Sequence, residues 1–238
     1  MKIAVFSDIH GNKEALVNVL KDIEEQRPDH VFCLGDLVGY GPRPNEVIEM
    51  IREAKIPTVM GNYDEGVGYE KGDCGCAYVT DVEKANGQYS IDWTTKQVSI
   101  ENKMFLRSLQ DKIEVNANGY KMLLVHGSPR RINEYLYEDR PERSITRILK
   151  SLEADVVVCG HTHKPYHRKV AGIHLINDGS VGKPKDGDQR ACYAIINLGD
   201  DVSVEFRRLD YPVEYVANEI IKVGLPKAFA DALMTAGK

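Results

Sequence analysis

The sequence predicts an α/β fold of two packed β-sheets with helices outside, in one domain spanning residues 1–238. Three observations carry this. Short β-branched apolar runs alternate with amphipathic helical stretches early in the chain, the signature of a parallel α/β layer. The later half turns to hairpins. Five apolar runs end in residues of metal-ligating type, and in α/β layers sites collect at the carboxyl ends of strands.

Ile3–Phe6 reads as the first strand, ending in Ser7-Asp8-Ile9-His10-Gly11-Asn12. Ala15, Leu16, Val19, Leu20 and Ile23 recur at helical spacing and predict a helix over Lys13–Glu25, closed by Pro28 and Asp29. Val31–Leu34 is a second buried strand. It runs into Gly35-Asp36 and the glycine-rich loop Gly39-Tyr40-Gly41-Pro42, whose composition brings backbone close to a neighbour. Glu46–Ala54 reads as a helix and Thr58–Met60 as a third strand, broken by Gly61-Asn62-Tyr63-Asp64. Glu65–Thr80 has no clear period and reads as a loop or lid. Val82–Gln97 reads as helical, and Ser99 suits the N-cap of a further helix through Leu109. A helical insertion is thus expected over about 65–110.

Ile113–Val115 and Tyr120–Val125 read as a hairpin around an Asn-Gly turn, and the second strand ends in His126. Pro141 suits the first turn of a helix through Leu152. Val156–Cys159 is a buried strand followed by Gly160-His161-Thr162-His163. In extended backbone, residues two apart point to one side. That expectation covers Asp8 with His10 and His161 with His163. Tyr166–Val170 with Ile173–Ile176 is another hairpin, ended by Asn177-Asp178-Gly179-Ser180. Ala191–Leu198 and Val202–Leu209 are two more strands, and helices are expected over Val213–Val223 and Pro226–Met234, a C-terminal pair at about 213–236.

The formal net charge of -5 argues against nucleic acid as a bulk electrostatic partner. No apolar run is long enough to span a membrane. The chain opens on a strand rather than a cleavable signal. Cys33, Cys159 and Cys192, three of five cysteines, sit in apolar runs as small core residues, which fits a reducing cytoplasm better than a disulfide framework.

Asp8, His10, Asp36, Asn62, His126, His161 and His163 form a mixed oxygen and nitrogen set without thiolate. Such a set suits Mn²⁺, Fe, Zn²⁺ or a similar ion. It is too large for one tetrahedral ion and fits two ions sharing a bridging carboxylate. A pair roughly 3.5–4 Å apart can deprotonate a water and hold a phosphoryl group for in-line attack.

The blocks Asp8-Ile9-His10, Gly35-Asp36, Gly61-Asn62-Tyr63-Asp64, Val125-His126-Gly127 and Gly160-His161-Thr162-His163 resemble the calcineurin-like metallophosphoesterase family, in the family's own order. The Gly39–Pro42 extension and the length are similar to its small bacterial and archaeal phosphodiesterase branch. The resemblance implies an αββα sandwich of two mixed β-sheets flanked by helices. It implies that Asp8, His10 and His163 hold one metal, that Asn62, His126 and His161 hold the other, and that Asp36 bridges. Two divalent ions are expected, Mn²⁺ first, with Fe, Zn, Ni or Mg as alternatives. The implied activity is a phosphodiesterase or phosphatase that hydrolyses a phosphoester or nucleotide anhydride by attack of a metal-bridging hydroxide. Asp36, Asn62, Tyr63 and His126 are the implied catalytic residues. The expected partner is a small phosphorylated substrate, with a homo-oligomer left open.

One position departs from the pattern. Tyr63 stands where the family has a histidine near the leaving group. It motivates an alternative, an interaction scaffold that keeps the fold without catalysis, as in a retromer coat subunit of the superfamily. A nuclease is disfavoured by the acidic charge. Tyr40 is a candidate for lining the substrate pocket, and Arg130 and Arg131 are candidates for substrate phosphate, set against a solvated basic pair. Cys74 and Cys76 read as two unremarkable thiols in a glycine-rich loop. His30, His167 and His174 read as structural or exposed, with His167 the first substitute if Tyr63 is not the acid. Arg143 and Arg147 read as a solvated helix face and Trp93 as core.

Overall fold

Apolar residues at nearly every position of Lys2–Phe6 (β1) and Val156–Cys159 (β5) bury both faces of these strands, as central parallel strands require. The computed structural model describes residues 1–237. Between and after those two strands the chain forms, in order, α1 (Lys13–Gln26), β2 (His30–Cys33), α2 (Pro44–Glu53), α3 (Asn62–Gly68), α4 (Asp81–Gln97), α5 (Ile100–Arg107), β3 (Lys112–Ala117), β4 (Tyr120–Val125), α6 (Glu142–Leu149), β6 (Tyr166–Val170), β7 (Ile173–Asn177), β8 (Ala191–Leu198), β9 (Val202–Leu209), α7 (Val213–Lys222) and α8 (Lys227–Thr235).

Two mixed sheets result, one ordered β2-β1-β8-β9 and the other β3-β4-β5-β7-β6. In the first, β1 pairs parallel with β2 and antiparallel with β8. In the second, β4, β5 and β7 run parallel and β3 and β6 are antiparallel edges. The β3–β4 hairpin turns on Asn118 and Gly119, both at positive φ, the conformation a two-residue hairpin loop needs.

Strand alternation sorts the core into layers. Ile3, Val5, Phe32, Leu34, Ala194 and Ile196 of the first sheet meet Met122, Leu124, Val156, Val158 and Ile176 of the second. The other face of the first sheet, with Ala4, Phe6, Tyr193 and Ile195, packs on α1, α2, α7 and α8. The outer face of the second, with Val157, Cys159 and Leu175, packs on Ile145, Ile148 and Leu149 of α6. The order is helix, sheet, sheet, helix. Each fully buried Ile, Leu or Val in these layers contributes about 1.5–3 kcal/mol. Trp93 packs part-buried against the first helical layer.

Three expectations need correction. Thr58–Met60 is not a full strand. It makes single parallel bridges, Thr58 to Cys33 and Val59 to Gln110. Pro57 before it lacks an N–H, and the chain turns into α3 immediately after Gly61. The segment read as a loop from Glu65 is helical as far as Gly68. Its glycines hide the helical period, but they permit close packing: a Cβ on Gly66 would lie 2.7 Å from the Asp73 carbonyl oxygen, and one on Gly68 3.1 Å from Leu106. The helix after Pro141 ends at Leu149, one turn before Leu152. Among the described residues no helix is long and apolar enough to cross a membrane.

Candidate metal centre

Every strand that feeds the site does so from its carboxyl end. Asp8 and His10 follow β1, Asp36 follows β2, His126 follows β4, and His161 and His163 follow β5, while Asn62 opens α3. The side chains converge in two groups, Asp8 with His10 and His163, and Asp36 with His126 and His161, the ligand atoms of each lying within 4.8 Å of one another. All six are buried.

The groups adjoin through Asp36. Its Oδ2 lies 3.6 Å from His10 Nε2 and 3.4 Å from His126 Nε2. Asp8 Oδ1 stands 3.2 Å from His163 Nε2 and 3.7 Å from His10 Nε2. Asn62 Oδ1 lies 3.0 Å from His126 Nε2. His161 and His163 do not act as an extended-strand pair on one ligand atom cluster; they divide between the groups. Asp8, His10, Asp36, His161 and His163 all adopt left-handed backbone, φ between 50 and 65°. This corrects the extended-backbone expectation. Such conformations are uncommon outside glycine and persist where surroundings enforce them. Here cross-strand bonds do so: Asp8 N–H donates to Gly35 O and His10 N–H to Asp36 O.

The outer ring nitrogens of three of the histidines are tethered. His10 Nδ1 meets Val38 O at 2.9 Å, His126 Nδ1 meets Leu34 O at 2.8 Å and His163 Nδ1 meets Lys183 O at 2.5 Å. A carbonyl only accepts, so each Nδ1 carries a proton and each ring turns its Nε2 inward, where a cation can take the place of any Nε2 proton. Asp8 Oδ2 accepts from Ser7 Oγ and from the His161 N–H, and Asp36 Oδ1 accepts from the Tyr63 N–H. Asn62 Nδ2 donates to Cys74 O, which leaves its Oδ1 facing the site. Tyr135 stacks on His161, ring centroids 4.0 Å apart.

Two ligand atoms, Asp8 Oδ1 and His161 Nε2, are buried with no hydrogen-bond partner among the described residues. One belongs to each group. Leaving a buried polar atom unpaired costs about 1–3 kcal/mol. An oxygen and nitrogen donor set with a spare lone pair in each half fits a divalent cation in each half.

Burial opposes ionisation of Asp8, but His163, His126 and His10 hold it well below the ordinary carboxylate value. Burial likewise opposes ionisation of Asp36, and His126 and His10 hold it low. Burial opposes protonation of His126, yet Asp36 and Asp8 raise it to about 10. His161 is pushed down to about 3 by burial and by His126, and His163 to about 3 by burial and by Lys185.

Tyr63 is buried, its ring edge-on to His10 at 5.5 Å, and its hydroxyl lies 3.3 Å from that of Tyr78. Burial and nearby Tyr40 raise its pKa well above the ordinary phenol value. Tyr40 flanks His10 at 5.0 Å and Phe229 of α8 at 4.9 Å. Arg130 and Arg131 are exposed, and Arg130 pairs with Glu134. His167 is turned away from the site: its Nε2 lies 2.9 Å from His174 Nδ1, and His174 faces Asp201. His30 is exposed.

Several contributors escaped the sequence reading. Cys76 Sγ lies 3.2 Å from Asn62 Nδ2 and 2.9 Å from Cys74 Sγ, so the thiols judged unremarkable support a site residue. Nothing local signals this contact. Asp64 accepts from the Leu37 and Gly61 N–H groups, tying the Asp36 loop to the Asn62 turn, and burial with Asp36 nearby raises it to about 7. Asp178 Oδ1 lies 2.8 Å from Ser7 Oγ behind Asp8. Its signal was present, a carboxylate closing an apolar strand.

The calcineurin-like phosphoesterase superfamily domain matches residues 1–201. An uncharacterized protein of Methanocaldococcus jannaschii is 37% identical, covering 97% of this chain and 96% of its own length. The crystal structure of a metallophosphoesterase from Sphaerobacter thermophilus superposes with a TM-score of 0.79 at 30% identity, with 99% of each chain covered. Phosphodiesterase YfcE of Escherichia coli is 26% identical over 83% of this chain and 88% of its own length. With the domain match over most of its length and two lobes of buried ligands at the strand ends, the chain belongs to the calcineurin-like phosphoesterase superfamily.

Proposed function

We propose that this protein is a dinuclear-metal-dependent phosphoesterase that hydrolyses a phosphoester or phosphoanhydride. The observation that carries the reading is Asp36 Oδ2, within 3.6 Å of one imidazole in each ligand group. Asp8, His10 and His163 would hold one cation, Asn62, His126 and His161 the other, and Asp36 both. When bound, two such ions supply Lewis acidity toward the phosphoryl oxygens and lower the pKa of water. Mn²⁺ is the first ion to test.

The chain's own residues orient this chemistry. The tethered Nδ1 atoms fix three imidazoles with Nε2 inward. Ser7 and the His161 amide fix Asp8, and the Tyr63 amide fixes Asp36. Tyr63 remains protonated and can offer only a neutral hydrogen bond. Departure of the leaving group then depends on its own stability as an anion, which favours aryl esters and anhydrides. The buried ligand set speaks against the scaffold alternative, because six buried polar side chains carry a desolvation cost with no benefit to a docking surface.

The test is hydrolysis of bis-p-nitrophenyl phosphate and p-nitrophenyl phosphate by protein stripped of metal and reloaded with Mn²⁺, Zn²⁺, Ni²⁺ or Mg²⁺. Turnover with about two equivalents of bound ion is expected. Absence of turnover with every ion rejects the reading.

A further inference from the structure

Lys183 and Lys185 lie in the loop between β7 and β8, on the rim of the Asp8, His10 and His163 group. The backbone grips that group from both sides: Lys183 O accepts from His163 Nδ1, and the Lys185 N–H donates to His163 O. Lys183 Nζ sits 4.3 Å above the Tyr40 ring, which itself lies edge-on to His10. Both lysines are part-buried. Among the described residues, neither ammonium has a carboxylate within 4.0 Å.

The surroundings account for the missing partner. The cleft beside Lys183 is walled by Val216, Ile220, Phe229 and Leu233 of α7 and α8, with His10 and Tyr40 opposite. No acid reaches in from that side. Elsewhere, part-buried cations such as Arg43 and Arg207 are paired, with Glu219 and Asp22. Asp8 and Glu83 act on Lys183, and Asp8 and Asp36 on Lys185, only from beyond ion-pair distance, and two part-buried ammonium groups without a direct partner cost free energy in the free protein. A ligand anion would recover that cost.

We infer that Lys183 and Lys185 form a subsite for a second phosphate, so that the substrate is a phosphoanhydride or another doubly phosphorylated compound. The inference rests on the proposed phosphoesterase reading for the identity of the reacting centre. The reacting phosphoryl group would lie over the six buried ligands. The adjoining phosphate would lie toward Tyr40, between the two ammonium groups. Each lysine acts as a point charge that tolerates a range of phosphate orientations. The tether of His163 to the Lys183 carbonyl couples the length of the substrate to the position of one ligand. A simple phosphodiester has nothing to place there and leaves both charges unmatched.

The experiment compares inorganic phosphate with methylenediphosphonate, a non-hydrolysable diphosphate, by calorimetry on Mn²⁺-loaded protein freed of excess ion. The wild type should bind the diphosphonate at least about tenfold more tightly than phosphate, a difference of about 1.4 kcal/mol. Lys183→Gln and Lys185→Gln should each erase most of that preference. Lys183→Arg and Lys185→Arg, which keep the charge, should restore much of it; a purely structural role would not give this rescue. In turnover, KM for pyrophosphate should rise more in the Gln variants than KM for bis-p-nitrophenyl phosphate. Equal wild-type affinity for the two anions overturns the subsite, as does an equal loss of both in the Gln variants. If the wild type prefers the diphosphonate but hydrolyses nothing, the subsite stands and the phosphoesterase reading falls. If it hydrolyses the aryl diester but shows no preference, the subsite alone falls.

Discussion

The amide of Asn62 is held by Cys76: Nδ2 donates to Sγ at 3.2 Å while the same nitrogen donates to Cys74 O at 2.9 Å. A side-chain amide can flip, and only one orientation turns its oxygen toward His126. The C-x-C turn therefore selects the orientation a cation needs.

Cys76→Ala should weaken metal loading without abolishing it. One hydrogen bond is worth about 0.5–1.5 kcal/mol, or roughly a 2- to 13-fold loss of affinity for one of the two ions. Asn62→Ala, which removes the ligand atom itself, should cost more. Competition with a chelating dye measures both. Equal affinity in Cys76→Ala and wild type would show that the Cys74 carbonyl alone suffices.

Asp36→Asn should damage the protein more than loss of any terminal ligand. A carboxylate shared between both groups sets their separation, and neutralising it weakens two sites at once. Metal analysis should find fewer than two equivalents bound, and activity should fall by more than in Asn62→Ala. Two equivalents with near-normal activity would show that Asp36 serves one ion only.

Tyr63→His should selectively accelerate substrates with poor leaving groups. The phenol stays protonated, whereas an imidazole titrates near neutral pH and can deliver a proton. The ratio of p-nitrophenyl phosphate to alkyl phosphate turnover should narrow. Gly39 sets the context for the replacement, since a Cβ there would stand 2.3 Å from Tyr63 Cδ1. An unchanged ratio, with chemistry rate-limiting, would mean no general acid operates at this position.

Acid stability should depend on Glu134. Burial raises its carboxyl, but Arg130, Ser128 and Arg140 bring it down to about 2, from an ordinary value of 4.5. A carboxylate depressed in the folded state stabilises above its unfolded pKa. That stabilisation is lost as pH falls through the window from about 4.5 to about 2. Because Arg130 is half-exposed, solvent screening limits the contribution to about 1 kcal/mol. In urea unfolding, wild type should exceed Glu134→Gln at pH 6 and the two should converge near pH 2. A constant gap across that window contradicts the linkage.

The sequence disclosed which side chains gather at the site better than it disclosed their posture. Asp8, His10, Asp36, His126, His161 and His163 stood out because polar residues at the ends of apolar runs are rare without a reason. Their left-handed backbone was invisible because it is enforced by bonds to other strands, such as Asp8 to Gly35. Helix α3 was masked by glycines that low helix propensity marks as loop but close packing requires. The layer order followed from strand alternation and hairpin turns. The contacts of Cys76, Lys183 and Lys185 were illegible for a common reason: each meets the site across a long stretch of chain, and no local pattern encodes such a meeting.

The placement of the ligands has a mechanical consequence. Each group draws on both sheets: Asp8, His10 and Asp36 extend from β1 and β2, and His126, His161 and His163 extend from β4 and β5. An ion in either group would rivet one sheet to the other at the rim of their shared apolar layer. Catalytic loading and resistance to unzipping would then be a single quantity. At an ion concentration a hundredfold above its dissociation constant, one site adds about 2.7 kcal/mol. That corresponds to roughly 5–10 °C in Tm for a chain of this size. Chelation should lower Tm by that margin and quicken amide exchange first at the β1 and β5 ends that face each other. An unchanged melting curve would place the ions outside the seam.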